Sequence, residues 1–476
     1  MQFDSIEFLV LLTTTFAAFR LAPAVLRIPI LIAASVVFYC SWNAPFVFLI
    51  AISAVVDFFA ARRIYAEHVA GRAGRKRLWL VLSLLVNLGL LGYFKYTNFL
   101  IGSLHEVFPD ADAFARTWDI VLPIGISFYT FQTMSYSIDV YRGTIAPTRN
   151  FLGFLLYVSF FPQLIAGPIE RAPHLLPQIL ESSRGRLRKE EFFTGLLLIV
   201  WGLFKKVALS DNLAMVVEPA YTNPQAYGGG ALLAATYAFA FQIFLDFSAY
   251  SDIARGAAAL FGIKLVRNFN LPYMAQDPSD FWRRWHISLS LWIRDYLYIA
   301  LGGSRGTAAR TMFNLALTMA LAGLWHGASW NFIVWGLFHG GLLVFYRILG
   351  PAFARLFAPV PARVQSVLRI ALMFHLVCLG WIFFRAETLA DSLVVVSEIA
   401  AWSASGWSAA GPSVFPAAGI ALLALAFAVM AWQEHRDVWR RITSSQVGYG
   451  LLIGACLVAM AVLMPATSAQ FIYFQF

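Results

Sequence analysis

Long apolar stretches recur along this chain, and short polar segments separate them. A helix needs about 20 predominantly apolar residues to cross a bilayer core, and most stretches come close to that length. Backbone groups in lipid must be satisfied within their own segment, and the alternating pattern of a membrane barrel is absent. The pattern predicts an all-α integral membrane protein, with one domain over residues 1–476 and roughly 11–12 transmembrane helices. The predicted spans are 5–19, 29–42, 45–60, 78–101, 120–140, 192–210, 230–260, 311–325, 331–349, 365–384, 414–432 and 446–465.

Residues 151–178 do not fit a simple spanning helix. The segment has a single apolar run, which Pro162, Pro168, Pro173 and Pro177 interrupt. Proline breaks a helix, and irregular backbone at membrane depth is tolerated only in a protein interior or beside a water-filled cavity. We therefore expect a re-entrant segment here, and with it a cavity that admits a substrate.

Residues 281–294 are the second exception, because they are strongly amphipathic. At about 100° per residue, one face of a helix carries the apolar side chains and the other sides carry the charges. The apolar face consists of Trp282, Trp285, Leu289, Trp292 and Ile293, and the charged residues are Arg283, Arg284, Arg294 and Asp295. A helix of this kind lies in the plane of the membrane interface, and we expect it on the cytoplasmic side.

Composition and charge agree with a membrane protein. Only 13% of the residues are charged and 60% are hydrophobic, whereas a soluble protein carries about 25% charged residues. The net charge of +10 does not indicate a nucleic-acid partner, because the Lys and Arg residues cluster in loops that we expect in the cytoplasm. The acidic loop at 105–119, the loop at 211–230 and the N-terminus are expected outside. The basic clusters are Arg20 with Arg27, the run Arg62, Arg63, Arg72, Arg75, Lys76 and Arg77, the run Arg184, Arg186, Arg188 and Lys189, and Arg436 with Arg440 and Arg441.

Several kinds of site are excluded by the residues. Cys40, Cys378 and Cys456 lie far apart and match no zinc or haem spacing, so they are predicted to be packing residues and no metal is expected. The phosphate-loop, GxSxG and HExxH motifs are absent. The N-terminal MQFDSIEF begins with acidic residues, which predicts a first span rather than a cleaved signal peptide.

The sharpest candidate for chemistry is His326, in the apolar stretch GLWHGASWNFIVWGLFHG at 323–340. An ionisable residue within a span is costly, so it is a functional hypothesis by default. Gly323 and Gly327 flank it, and small residues allow a helix or a ligand to approach closely. A histidine of ordinary pKa suits proton transfer from an attacking hydroxyl. The alternative is a buried histidine that only bonds a backbone carbonyl, and the residues alone leave both readings open.

The same stretch has a polar face. Asn331, Trp335 and His339 recur every four residues and therefore share one side of a helix. We expect this face to look into a cavity rather than at lipid, with Asn331 and Trp335 lining it and His339 in a structural role.

Two further polar groups are candidates. His286, at the edge of the amphipathic helix, either lines the cytoplasmic mouth of a tunnel or sits at the headgroups, and spacing alone favours the second. Gln242, Asp246 and Tyr250 lie at i, i+4 and i+8 in an apolar run. Asp246 is predicted to line the cavity and orient a catalytic group, or else to form a structural pair with an Arg.

At these residues the sequence resembles the membrane-bound O-acyltransferases, and within them the bacterial branch of alginate O-acetylation. The likeness extends almost from end to end, and its combination of motifs is highly specific. The matching stretches are FYCSWN (38–43), YFKYTNF (93–99), LPIGISFYTFQTMSYSIDVYRG (122–143), FFPQLIAGPIERA (160–172), DFSAYSDIARG (246–256), NFNLPY (268–273), FWRRWHISLSLWIRDYLYI (281–299), GLWHGASWNFIVWGLFHG (323–340) and the terminal FIYFQF (471–476).

This resemblance implies the fold and the reaction. The essential histidine of the family aligns with His326, and its second motif histidine aligns with His286. The family fold is a ring of helices around a thin centre, with a funnel outside and a tunnel from the cytoplasm. The polysaccharide branch uses acetyl-CoA as a donor substrate with no bound cofactor. It acts in the bacterial inner membrane beside the polysaccharide assembly machinery and membrane lipid, and passes acetyl to a periplasmic partner of the SGNH, esterase-like type.

Three arginines are candidates for binding the donor. Arg283, Arg284 and Arg305 are expected at the cytoplasmic mouth, where they attract the donor's phosphates or simply orient the protein. His326 would act as a general base, and the sequence leaves an acyl-histidine intermediate open.

Other functions remain in competition at this stage. A transporter of a lipid-linked saccharide would show paired repeats with interrupted helices, and no such pairing is found. A membrane scaffold for the periplasmic enzymes is the third hypothesis. For the substrate, cellulose, peptidoglycan and other cell-envelope polymers stand beside alginate, and D-alanylation of teichoic acid is more distant.

Overall fold

The computed structural model describes residues 1–110, 117–182, 188–356, 358–402, 444–465 and 469–472. Over these ranges the regular structure is helical and contains no strand, so the predicted all-α class is confirmed. The α-helices, numbered in chain order, are α1 (Ile6–Leu21), α2 (Ala24–Asn43), α3 (Val47–Val69), α4 (Ala73–Leu91), α5 (Thr97–Val107), α6 (Ile126–Arg142), α7 (Phe151–Ser159), α8 (Phe161–Leu164), α9 (Ala172–Ser182), α10 (Lys189–Leu203), α11 (Asp211–Thr222), α12 (Gly229–Leu260), α13 (Pro278–Arg284), α14 (Ile287–Trp292), α15 (Ala308–His326), α16 (Trp330–Leu356), α17 (Ala362–Arg385), α18 (Leu389–Ala401) and α19 (Gln446–Leu463).

Seven helical stretches within the described ranges are long and apolar enough to cross a membrane. They are Ala24–Val69, Ala73–Val107, Lys189–Thr222, Gly229–Leu260, Trp330–Phe353, Ala362–Arg385 and Gln446–Leu463. The first contains two helices, because the 3-10 turn Ala44–Phe46 separates α2 from α3. Within the described ranges the predicted helices exist, but α1, α6 and α15, with 16, 17 and 19 residues, are not among these stretches.

Some predictions fall on other parts of the chain. The span 414–432 and the clusters Arg436, Arg440 and Arg441, and Arg184 with Arg186, lie outside the described residues. The predicted loop at 211–230 is wrong in its first half, because α11 occupies it and continues from α10 through the π-helical turn Phe204–Ser210.

Contacts group the chain into two compact units, residues 1–199 with 250–266 and residues 200–249 with 267–476. The single-domain assignment stays a prediction. In the first unit, α3, α4 and α6 meet around the fully buried carboxylate of Asp57. That carboxylate accepts hydrogen bonds from Ser83, from Asn87 at 2.7 Å and from Ser137 at 2.7 Å. These bonds hold three helices together and satisfy a polar group that would otherwise be costly to bury.

The proline-broken segment at 151–178 lies in the first unit as short helices α7, α8 and the start of α9. None is long enough to cross a membrane, as predicted, since α7 has nine residues and α8 four. Phe154, Tyr157 and Phe160 are fully buried, so the segment packs in a protein interior. Glu170 anchors it by accepting from the backbone N–H of Val266 at 2.6 Å and pairing with His174 at 2.7 Å.

In the second unit, α15 and α16 pack against each other through glycines. A methyl group on Gly323 would overlap the carbonyl oxygen of Phe332, and one on Gly336 would overlap that of Met319. Only residues without a side chain permit backbones to approach this closely. This glycine seam sets the position of the end of α15, where His326 lies.

The predicted amphipathic helix is interrupted. It consists of α13 and α14, separated by Trp285 and His286, and then the π-helical turn Ile293–Tyr298. The break lies at His286, whose backbone is left-handed with φ 41°. The predicted apolar face is otherwise as expected, because Trp285, Leu289, Trp292 and Ile293 are buried while Arg283 and Arg294 are exposed.

Candidate active site

His326 is the last residue of α15 and is only 4% exposed. Three aromatic rings surround its imidazole, each roughly perpendicular to it. Their centroids lie 5.0 Å away for Trp325, 5.0 Å for Trp335 and 5.5 Å for Phe384. These three rings form an aromatic box around His326. The box holds the imidazole in one orientation and shields it from bulk water, which suits a proton-transfer group.

A cavity of about 310 Å³ opens beside this box, and His326 is part of its wall. Most of the wall is apolar, with Leu289, Met319 and Ala322 among its residues. Two cations, Arg283 and Arg294, also line it, and both are exposed. The cavity therefore extends from a buried imidazole to two exposed arginines, of which Arg294 is paired with Asp295 at 2.7 Å.

The three arginines predicted to bind a donor occupy different places. Arg283 lines the cavity, and its Nε donates to the carbonyl oxygen of Ser279 at 3.2 Å. Arg284 instead pairs with Asp280 at 2.9 Å. Arg305 lies in an exposed turn after the π-helical segment and is not among the residues that line this cavity. The structure thus brings only Arg283 of the three to the cavity that contains His326.

His286 is fully buried and does not line the cavity. Its Nδ1 accepts from the N–H of Leu289 at 3.3 Å and so caps α14. Burial lowers the pKa of His286 to about 3, so the ring is neutral and its proton resides on Nε2. The indole of Trp325 contacts both histidines, with centroids 6.2 Å from His286 and 5.0 Å from His326.

The polar face of α16 packs against α17 rather than lining this cavity. Asn331 donates to the carbonyl oxygen of Ala386 at 2.8 Å. Trp335 is fully buried, faces His326 and stacks on Trp381 at 5.9 Å. His339 is enclosed by aromatic rings, among them that of Trp335 at 5.0 Å. None of these α16 residues is on the cavity wall, so Trp335 acts as the support behind His326.

Asp246 also lies elsewhere, in a buried ion cluster. Its carboxylate pairs with Lys206 at 3.2 Å and accepts from the N–H of Ile472 at 2.8 Å. Lys206 pairs in addition with Asp211 at 2.8 Å and donates to the carbonyl oxygen of Ala469 at 2.8 Å. Of the two roles predicted for Asp246, the structure shows the structural ion pair, with Lys206 as its partner instead of an arginine. The cluster attaches the C-terminal residues to α11, α12 and the π-helical turn.

Arg294 and Thr318 are among the cavity residues that the sequence did not predict. Arg294 was assigned to the charged side of the amphipathic helix and given no role at the site. Thr318, which is 5% exposed, lines the cavity two turns before His326 on α15. A signal was present, because Asn314, Thr318, Ala322 and His326 recur every four residues, the spacing that was used for α16.

The fold and this site define a polytopic membrane enzyme with a buried histidine beside a cavity. Residues 146–386 match the model of the membrane-bound O-acyltransferase family. The chain belongs to the membrane-bound O-acyltransferase family, and it is a multi-pass O-acyltransferase. The matched range includes His286 and His326, both cavity arginines and Thr318.

Curated relatives cover most of the chain. The probable alginate O-acetylase of Azotobacter vinelandii is 43% identical over 392 residues, which is 82% of this chain and 76% of that protein. The peptidoglycan O-acetyltransferase of Helicobacter pylori is 36% identical over 77% of this chain and 72% of its own length. The teichoic acid D-alanyltransferase of Bacillus subtilis is 28% identical over 56% of this chain and 69% of its own length. The family favours an enzyme over the transporter and scaffold hypotheses.

Proposed function

We propose that this protein takes acetyl from acetyl-CoA on the cytoplasmic side of the bacterial inner membrane and delivers it across the membrane for O-acetylation of an exopolysaccharide, with alginate as the first candidate. The choice of acetyl and of a polysaccharide is supported by the two acetyl-transferring relatives, which are more similar to this chain than the D-alanyltransferase is.

One observation carries the proposal: His326 lies on the wall of a cavity whose opening carries Arg283 and Arg294. Acetyl-CoA is an anionic molecule whose reactive thioester lies at the end of a long, uncharged arm. Guanidinium groups bind phosphates well, and an apolar passage accepts the arm. The thioester would then reach the imidazole while the phosphates stay near the two arginines.

The reaction is an acyl transfer with His326 as general base. A hydroxyl oxygen of the acceptor attacks the thioester carbonyl carbon while His326 takes the hydroxyl proton. The carbon–sulfur bond breaks, and the departing thiolate takes that proton from the imidazolium. The products are an O-acetyl ester and CoA. Trp325, Trp335 and Phe384 keep the imidazole oriented and exclude water, which would hydrolyse the thioester.

The acceptor is proposed to be a hydroxyl of an extracytoplasmic, esterase-like partner of the SGNH type, which then modifies the polymer beside the polysaccharide assembly machinery. A relay of this kind keeps CoA inside the cell and leaves the polymer outside.

The first test replaces the base. We expect His326→Ala to lower acetylation by about 10²–10⁴-fold, which is the usual contribution of a positioned general base. The readouts are the O-acetyl content of the secreted polymer in cells, and the consumption of labelled acetyl-CoA by the purified protein with its partner.

A matched control is His375→Ala, because His375 is an exposed histidine of α17 that bonds only its own helix at the Ala371 carbonyl. Its activity should equal that of the unaltered protein. Normal acetylation by His326→Ala at equal protein levels would remove His326 from the mechanism. Acetylation without consumption of acetyl-CoA would refute the donor.

A further inference from the structure

Among the described residues, the buried hydroxyls of Thr318, Ser53 and Tyr129 have no hydrogen-bond partner, and of these three only Thr318 lines the cavity that contains His326. Thr318 lies on α15, is 5% exposed and lines the same cavity as His326. Its Oγ1 has no hydrogen-bond partner among the described residues. A buried hydroxyl without a partner costs free energy, so its presence beside a cavity calls for an explanation.

Several helical hydroxyls elsewhere in the protein bond back to their own helix. Thr311, seven residues earlier on α15, donates to the carbonyl oxygen of Thr307 at 3.2 Å. Thr236 donates to Leu232 at 2.8 Å and Ser35 to Leu31 at 2.7 Å. This back-bonding is the ordinary way in which threonine and serine are satisfied within a helix. Thr318 does not use it, which leaves its hydroxyl available to a ligand.

The position of Thr318 fixes which part of a ligand it would meet. It precedes His326 by eight residues, which is about 12 Å along the helix axis. Met319 and Ala322 form the apolar wall beside them. A molecule with its reactive carbonyl at His326 would therefore present to Thr318 a group roughly that far along its length.

The arm of a pantetheine thioester has a polar group at a suitable distance. It contains two amides, one close to the sulfur and one further away. In an extended arm, the distal amide lies roughly 9–10 Å from the sulfur, from bond lengths like those of a polypeptide. Adding the sulfur–carbonyl bond brings it close to the axial separation of the two side chains. The proximal amide is too near the sulfur.

We propose that Thr318 is a positioning residue for the donor, and that its hydroxyl donates a hydrogen bond to the carbonyl oxygen of the distal amide of the pantetheine arm. This rests on the proposed function, since it takes a pantetheine thioester as the donor. The bond sets how far the arm enters the cavity, and thereby holds the thioester carbonyl at His326.

The test uses three acetyl thioesters that differ in length. Acetyl-CoA and S-acetyl-pantetheine contain both amides, whereas S,N-diacetylcysteamine contains only the proximal one. Each is measured in competition with labelled acetyl-CoA on the full-length protein in lipid nanodiscs. Thr318→Val removes the hydroxyl and keeps the shape of the side chain. We expect it to weaken the two longer thioesters about tenfold, or about 1.4 kcal/mol, which is the size of one hydrogen bond. The short thioester should be unaffected.

Three further variants complete the comparison. Thr318→Ser keeps the hydroxyl and should bind like the unaltered protein. Thr318→Ala removes it in a different way and should show the same selective loss as Thr318→Val. Thr311→Val is the matched control on the same helix, away from the cavity wall, and should leave all three affinities unchanged. Thr318→Val should also unfold at a temperature no lower than the unaltered protein, because it removes an unsatisfied polar group.

The outcomes are separable. Equal binding of all three thioesters by Thr318→Val and the unaltered protein overturns the role of Thr318 alone. An equal loss for all three also overturns it, since that pattern reports a change of cavity shape. If the unaltered protein does not bind acetyl-CoA saturably, the donor assignment itself fails, and the role of Thr318 fails with it.

Discussion

The imidazole of His326 is useful because of what encloses it. Three aromatic rings surround it, and the wall of the adjoining cavity is mostly apolar. In the proposed reaction, the imidazole takes the hydroxyl proton while an oxyanion develops on the thioester carbonyl, and the two opposite charges stabilise each other.

The second prediction concerns Arg283 and Arg294, the two arginines on the cavity wall. We expect Arg283→Gln and Arg294→Gln each to raise KM for acetyl-CoA about fivefold, because an exposed ion pair contributes up to about 1 kcal/mol. The value of kcat should change little, as for binding that is equal in the ground and transition states. Steady-state kinetics at two salt concentrations measure both, and the rise of KM with salt should be weaker in the variants.

Arg310→Gln is the control for this pair. Arg310 is an exposed arginine at the start of α15 that bonds the carbonyl oxygen of Leu301 and does not line the cavity. It removes the same charge, so a rise of KM that Arg310→Gln shares would point to a general field rather than to contacts. S-acetyl-pantetheine lacks the phosphates of CoA beyond the arm, and its KM should not respond to any of the three.

At this scale the sequence could indicate His326 and Arg283 but not their surroundings. A histidine between apolar runs is visible in a sequence because it is expensive there. The choice among Arg283, Arg284 and Arg305 depends on which guanidinium lies on the cavity wall, and of the three only Arg283 does. The availability of the Thr318 hydroxyl depends on its rotamer, which no spacing reveals.

Among the elements, the seam between α15 and α16 determines where the site forms. The carbonyl oxygens of Phe332 and Met319 lie where side chains of Gly323 and Gly336 would be. The helices therefore cannot separate or rotate without moving the end of α15. The position of His326 therefore depends on a packing contact between two backbones that takes no part in the proposed reaction.

The third prediction tests this contact with one methyl group. We expect Gly323→Ala to destabilise the protein by about 1–3 kcal/mol, the usual cost of overpacking, and to lower activity by displacing His326 three residues later. Gly341→Ala, in the neighbouring helix α16 with nothing near its added methyl, should be neutral or slightly stabilising because alanine favours helices. Thermal unfolding followed by fluorescence, with activity in parallel, measures both. Equal unfolding temperatures for the two variants would show that the seam is loose.

Hydrophobic periodicity predicted which face of the segment 281–294 is buried, but it did not predict where the helix breaks. The apolar face over 281–294 was predicted from its spacing, and its members are largely buried. The break at His286 could not be predicted, because it is imposed by tertiary packing: the ring contacts Phe247 at 4.7 Å and its Nδ1 caps the following helix. The interrupted segment around Pro162, by contrast, could be predicted from its prolines, because proline breaks a helix through its own local backbone.

At the scale of the whole chain, the ion cluster of Lys206, Asp211 and Asp246 holds residues far apart in sequence. Ala469 and Ile472 are attached to it through their backbones. A buried charge left without its partner is strongly destabilising. Residues 469–472 are therefore held within the second unit by this cluster.

The fourth prediction concerns this attachment. We expect Asp246→Asn to destabilise the protein by up to about 3–5 kcal/mol, the range found when a buried ion pair loses one partner. Residues 469–472 should exchange their amide hydrogens faster, which hydrogen–deuterium exchange detects. Asp252→Asn is the control on the same helix, because its partner Arg255 is partly exposed and such pairs contribute little. Unchanged exchange at 469–472 in Asp246→Asn would mean that the cluster does not retain the C-terminal residues.

Over the described residues, hydropathy located most of the helices. Apolar residues report the cost of contact with water, so α12, α16, α17 and α19 were placed correctly. Asp211 was predicted to begin a loop, yet it is the first residue of α11 and pairs with Lys206 inside the protein. A hydropathy average counts each charged residue as unfavourable in a span, and it does not include the ion pair that offsets this cost.

The left-handed backbone of His286 has a consequence for anyone who scans this protein with alanine. Alanine at that position loses an imidazole, a helix cap and a residue held at positive φ all at once, so lost activity there would say nothing about proton chemistry. Asparagine tolerates the same backbone and can accept the same N–H. A substitution table for position 286 should therefore be judged against asparagine as its baseline.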